Sequence, residues 1–186
     1  MTVAFDATAL LLLLSPNVGV PKGADGQPIQ YARERVDGFV STLEDAGTRI
    51  LIPTPALSEA LVRVDPRLAR LYLEKISRSS AFQVADFDER AAIEVAIMTK
   101  QAADAGDKRD GGEGPWAKIK YDRQIVAIAR VNRATTILSD DHNLQKFGRL
   151  LRMHVIGVGD LPIPSEAGQL SMMEQFEALP GPAPQV

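Results

Sequence analysis

The chain has 186 residues, 45% hydrophobic and 24% charged, with a net charge of -3; this suits one globular domain and excludes wholesale disorder, a collagen-like repeat and a coiled-coil rod. It holds no cysteine and only two histidines. Disulfides, thiolate zinc sites, iron–sulfur clusters and a cysteine nucleophile are therefore excluded, so any chemistry must lean on carboxylates.

In chain order, Thr2-Val3-Ala4-Phe5 is compact and apolar and ends at Asp6, the pattern of a strand running into a helix or turn. Residues 10–14 are all leucine but too short for a membrane span and without a basic leader, so they are expected to form core or a dimer face. The protein is accordingly expected to be cytoplasmic, with no membrane partner. Proline, glycine and aspartate break every period over 15–28, which predicts a long surface loop. Val36, Phe39, Val40 and Leu43 then give a helical stripe closed by Gly47, and Ile50-Leu51-Ile52 a buried strand. Thr54 is expected to cap the next helix, with Pro55 in its first position and Glu59 on its second turn.

A helix over 66–77 and a strand over 81–85 follow, and Asp88 is expected to cap a helix reaching about Ala103. The glycine-rich stretch 106–114 reads as a second loop, before Trp116 opens a basic amphipathic helix to about Arg133. Strands are expected over 135–138, ending in Ser139-Asp140-Asp141, and over 155–158. Residues 1–164 form the expected domain, and 165–186 an acidic helix with a flexible tail. Alternating strands and helices predict an α/β fold, a central mostly parallel sheet flanked by helices in three layers, with its site at the carboxyl ends of the strands.

Asp6 and Asp141 each follow an apolar strand, while Glu59 and Asp122 each stand near the start of a helix bordering the same sheet edge. Four converging acids repel one another unless a cation neutralises them, and hard divalent ions with oxygen ligands are the usual answer, so Mg2+ or Mn2+ is the implied cofactor. Two such ions can activate water and stabilise the leaving oxygen of a phosphodiester. Each acid also has a plainer reading: Asp6 and Asp141 as helix caps, Glu59 as a partner of Arg63, Asp122 as a partner of Lys118.

These residues resemble the PIN-domain ribonucleases, which include the VapC-type toxins of toxin–antitoxin pairs. The resemblance spans roughly residues 3–164. Val3-Ala4-Phe5-Asp6-Ala7-Thr8 is similar to the first motif, Pro53-Thr54-Pro55-Ala56-Leu57-Ser58-Glu59 to the second, the stretch from Lys118 through Asp122 to Ala129 to the third, and Ile137-Leu138-Ser139-Asp140-Asp141 to the fourth; Asp86 to Ala92 resembles the opening of the middle helix. The resemblance implies a single three-layer PIN-like domain, with Asp6, Glu59, Asp122 and Asp141 as catalytic metal ligands. It casts Ser139 as orienting a ligand or water, with Asp140 at the variable position and Thr8 as a further supporting residue. It also implies RNA hydrolysis leaving a 5′-phosphate, a small antitoxin partner and a homodimer. The loop over 15–28 and the tail make this chain longer than the compact toxins.

The segment 116–133 carries five basic residues against Asp122, a local charge of +4 within an acidic chain, and Lys118, Lys120 and Arg123 are candidates for RNA phosphate contacts. Trp116 reads either as a base-stacking platform or, preferably, as an anchor for the helix start, and His142 as a loop histidine. Two other functions compete. A non-catalytic RNA- or protein-binding PIN module would not need four intact acids. A haloacid-dehalogenase-like phosphatase would want an aspartate where Thr8 stands.

Overall fold

The computed structural model describes residues 1–15, 18–23 and 25–164; the expected tail over 165–186 lies outside them. Five strands, β1 (Thr2–Phe5), β2 (Arg49–Pro53), β3 (Phe82–Ala85), β4 (Thr136–Leu138) and β5 (His154–Ile156), form one sheet in the order β3-β2-β1-β4-β5, every pair parallel. Parallel pairing requires crossovers, and among the described residues seven helices supply them: α1 (Ala7–Leu14), α2 (Ala32–Asp45), α3 (Thr54–Val62), α4 (Pro66–Arg78), α5 (Glu89–Asp104), α6 (Trp116–Val131) and α7 (His142–Leu150). From β1 the chain moves outward through β2 to β3, then returns to the other side of β1 for β4 and β5. Right-handed connections in opposite directions place the two sets of helices on opposite faces, giving the expected three layers. Helix α1 packs against α2 and α3, and α6 against α5 and α7.

The central strands are apolar throughout because both faces are covered: Val3, Ala4, Phe5, Ile50, Leu51, Ile52, Ile137 and Leu138 are fully buried. The leucine run becomes α1, of whose eight residues six are buried, so it is core. Arg33 on α2 donates to the carbonyls of Leu12 and Ser15, supplying partners at the end of a helix that has no basic residue in its own last turn. Gly47, at a φ of 60°, lets the chain leave α2 for β2. At Gly148 a Cβ would lie 2.6 Å from Val155 Cγ2, so α7 rests directly on β5.

Two boundaries differ from the sequence expectation, at the start of α3 and at the end of β5. β2 runs into α3 with no intervening turn, so Pro53 takes the cap position, Thr54 is the first helical residue, and the Thr54 side chain makes no capping bond. Asp88 does cap α5, accepting from the Ala91 amide at 2.9 Å. The last strand ends at Ile156, and a short 3-10 turn (Val158–Asp160) takes up the residues beyond it.

Candidate active site

The direction of strand order reverses at β1 and β4, and in open parallel sheets the crevice beyond the carboxyl ends at such a point is where ligands bind. Asp6 follows β1 there, and Ser139, Asp140 and Asp141 follow β4. The Asp6 carboxylate is 3% exposed and caps α1 by accepting from the Ala9 amide at 2.8 Å. Its other oxygen accepts from the Ser139 hydroxyl at 2.5 Å, and that hydroxyl accepts from the Asp141 amide at 3.0 Å. Ser139 thus links the ends of β1 and β4. Burial pushes the Asp6 carboxyl up to about 7, against the lowering effect of the Ala9 and Ser139 hydrogen bonds and with a smaller push from Asp140 and Asp141.

The second pair of acids comes from α6 and the start of α7. Asp141 caps α7, its Oδ1 accepting from the amides of Asn143 and Leu144 at 2.8 and 3.1 Å. Its Oδ2 faces Asp122, and the Lys118 ammonium stands between the two, 2.7 Å from Asp141 Oδ2 and 2.9 Å from Asp122 Oδ2. Burial pulls the ammonium down, but its bonds to Asp141 and Asp122 outweigh that and hold it above the ordinary lysine value. Burial raises the Asp122 carboxyl, opposed by Asn143 and Lys118. The plain readings of Asp6, Asp141 and Asp122 as caps and an ion-pair partner therefore coexist with a shared location at the crevice.

Glu59 is not joined to them. It stands on α3 with a half-exposed side chain and accepts from Arg63 at 3.0 Å. Among the described residues no group of three or more carboxylates or imidazoles is gathered to hold a metal ion. The donor chemistry nevertheless suits a hard cation at one place: two carboxylate oxygens already converge on a positive charge, the Lys118 ammonium, as a stand-in.

The supporting residues divide. Asp140 turns away, its Oδ1 accepting from the Val158 amide at 3.0 Å, while its Oδ2 is buried without a partner. Thr8 lies in the first turn of α1, with no hydrogen bond to the acids among the described residues. Lys120 is exposed. Arg123 corrects the expectation of a phosphate contact: it is 1% exposed, donates to Thr99 Oγ1 at 3.0 Å, and has its guanidinium 5.2 Å from the Phe147 ring centre and 5.7 Å from that of Trp116. Its position three and four residues from Val126 and Ile119, both fully buried, puts it in the apolar stripe of α6. Trp116 anchors the helix start, between that guanidinium and the Lys108 ammonium. His142 is exposed, 3.8 Å from Glu113.

Sequence reasoning missed Asn143. It is 2% exposed, and its Nδ2 donates to Asp122 Oδ2 at 2.7 Å and to the Glu113 carbonyl at 2.9 Å, while its Oδ1 accepts from the Glu113 amide at 2.8 Å. It therefore fixes the glycine-rich loop to the acid site. The only signal was its place two residues after the capping Asp141. A groove of about 550 Å³ between α4 and β3, lined by Leu73, Ile76, Phe82 and Val84 among others, shares no residue with the site.

No family profile matches the chain, and no curated protein matches it in sequence. Solved structures do match in shape. VapBC2 from Rickettsia felis, solved bound to a DNA fragment from its promoter, is 12% identical with a TM-score of 0.56, the alignment covering 84% of this chain and 98% of that one. DNA-bound VapBC from Salmonella typhimurium is 18% identical with a TM-score of 0.55, covering 85% and 98%. With its parallel sheet, its flanking helices and acids at the strand ends, the chain has a PIN-like fold of the VapC type.

Proposed function

We propose that this protein is an endoribonuclease that hydrolyses RNA phosphodiester bonds at the crevice beyond β1 and β4, and that it is the toxin of a toxin–antitoxin pair held in check by a small protein partner. The observation that carries the reading is the placement of Asp6, Asp122 and Asp141 at one sheet edge, in a fold shared with VapBC complexes. Magnesium or manganese is part of the proposal: Asp122 and Asp141 would hold the ion, with Asp6 beside them and Glu59 joining once released from Arg63, and it would supply a water acidic enough to attack phosphorus. Ser139 orients the Asp6 carboxylate through its hydroxyl, and Asn143 orients Asp122. Exposed Lys120 is the remaining candidate for a phosphate contact, since Arg123 is buried and the Lys118 ammonium is engaged by Asp122 and Asp141.

The test is cleavage of RNA by the full chain with Mg2+ or Mn2+, with chelator, and with Asp6→Asn, Asp122→Asn and Asp141→Asn. Cleavage that needs the divalent ion and is lost in each variant supports the reading; cleavage persisting in chelator overturns the metal, and cleavage persisting in all three variants overturns the site. The second reading, a non-catalytic binding module, draws on the pairing of Lys118 and Arg63 with three of the four acids. It predicts RNA or protein binding without turnover at any divalent concentration.

A further inference from the structure

We propose that Lys118 is a resident counter-cation of the acid site, so that a divalent ion binds by exchange with the lysine ammonium rather than by addition to an open site. The inference rests on the nuclease reading of that site and concerns how the site is regulated. Two like charges facing each other need a positive group between them, and the ammonium serves both, at 2.9 Å from Asp122 and 2.7 Å from Asp141. The oxygens it bonds are held in place by other donors. Asn143 bonds Asp122 Oδ2, and the α7 amides of Asn143 and Leu144 fix Asp141 through its opposite oxygen. Withdrawal of the lysine would therefore leave two aimed carboxylate oxygens.

The lysine itself is free to leave. Its side chain is 44% exposed on the first turn of α6, and its four-carbon stem and single point charge impose no fixed fork geometry. The exchange replaces one positive charge by two at the same pair of oxygens. An exposed lysine paired with a single carboxylate contributes little, whereas this ammonium bonds both acids.

The experiment is calorimetric titration of Mn2+ into chelator-stripped full-length protein, comparing wild type with Lys118→Met and Lys118→Gln. Removing the competing ammonium should tighten Mn2+ binding about tenfold, lower the melting temperature without metal, and enlarge the rise in melting temperature that Mn2+ produces. In wild-type protein carrying 13C-labelled lysine, Mg2+ should move the Lys118 Cε resonance towards that of a solvated lysine. Equal Mn2+ affinity in all three proteins, or a Lys118 resonance unmoved at saturating Mg2+, overturns the exchange while leaving a divalent site intact. Absence of Mn2+ binding by all three overturns both the exchange and the metal-dependent reading beneath it.

Discussion

The four acids singled out by the sequence are held in opposite ways. On the β4 side, Asp6, Asp122 and Asp141 are engaged by a hydroxyl, a buried amide side chain, backbone amides and an ammonium. On the β2 side, Glu59 has one exposed partner four residues away. An exposed pair of that kind contributes only about 0.3 kcal/mol, so Glu59 can change partner at little cost. The bonds of Asp6 with Ser139 and of Asp122 with Asn143 cannot, since all four residues are buried and each donor removed leaves another group unsatisfied. The difference separates acids that folding fixes in place from one that is free to change partner.

The largest expected effect comes from cutting the built side. Asn143→Ala removes three hydrogen bonds and strands the Glu113 amide and one side of Asp122, for a loss of about 3 kcal/mol in urea unfolding. A loss below about 0.5 kcal/mol would show that this side is no more fixed than the other.

Asp6→Asn tests the charge at its centre. The folded carboxyl titrates near 7 against 3.8 for the free group, so the folded state binds the extra proton, and the stability this gives is complete below about 3.8 and lost as pH rises through 7. In metal-free buffer the variant should exceed wild type by on the order of 2 kcal/mol at pH 8, the gain fading towards pH 4. A gain independent of pH would assign it to packing instead.

Arg123→Met probes a charge buried beside the site but not in it. Two of its nitrogens, Nε and Nη2, are buried without a partner among the described residues, so a methionine of similar length should change stability by no more than about 1 kcal/mol. A cost above about 3 kcal/mol would show that the stacking on Trp116 and Phe147 outweighs those unmet groups. Smallest of all is Glu59→Gln, which should alter the melting curve by less than about 0.5 kcal/mol. Loss of RNA cleavage in that variant, with stability unchanged, would sharpen the contrast between a recruited acid and the built ones.

The sequence made the fold legible because its signals are local and strong: apolar strands buried on both faces, a cap at Asp88 and a terminator at Gly47 each act within a few residues. Asp6 was legible as a position, since a residue directly after a parallel strand can only stand at the carboxyl edge, and Asp141 follows β4 by three residues. Their partners were not. Lys118 lies one turn before Asp122 in sequence, but its approach to Asp141 depends on where α7 lands against α6, a tertiary fact with no local signature. Arg123 was misread by its charge. The positions of Ile119 and Val126 marked the buried stripe of α6, and that period outweighs residue type when aromatic rings stand ready to take the guanidinium.

The tie between Asn143 and Glu113 has a consequence for anyone wishing to alter this protein. Surface loops are the usual place to insert a tag, graft a peptide or shorten a chain, and a glycine-rich stretch invites it. Here the last part of that stretch is clamped through two backbone bonds to the side chain that also orients Asp122. The earlier part is tied in as well, because Asp107 accepts from the Gly111 amide and Arg109 donates to the Gly114 carbonyl, so an insertion anywhere between Asp107 and Trp116 would be transmitted to the Asp122 carboxylate. The glycine-rich loop is thus a poor place for editing, since its own hydrogen bonds couple it to the candidate site.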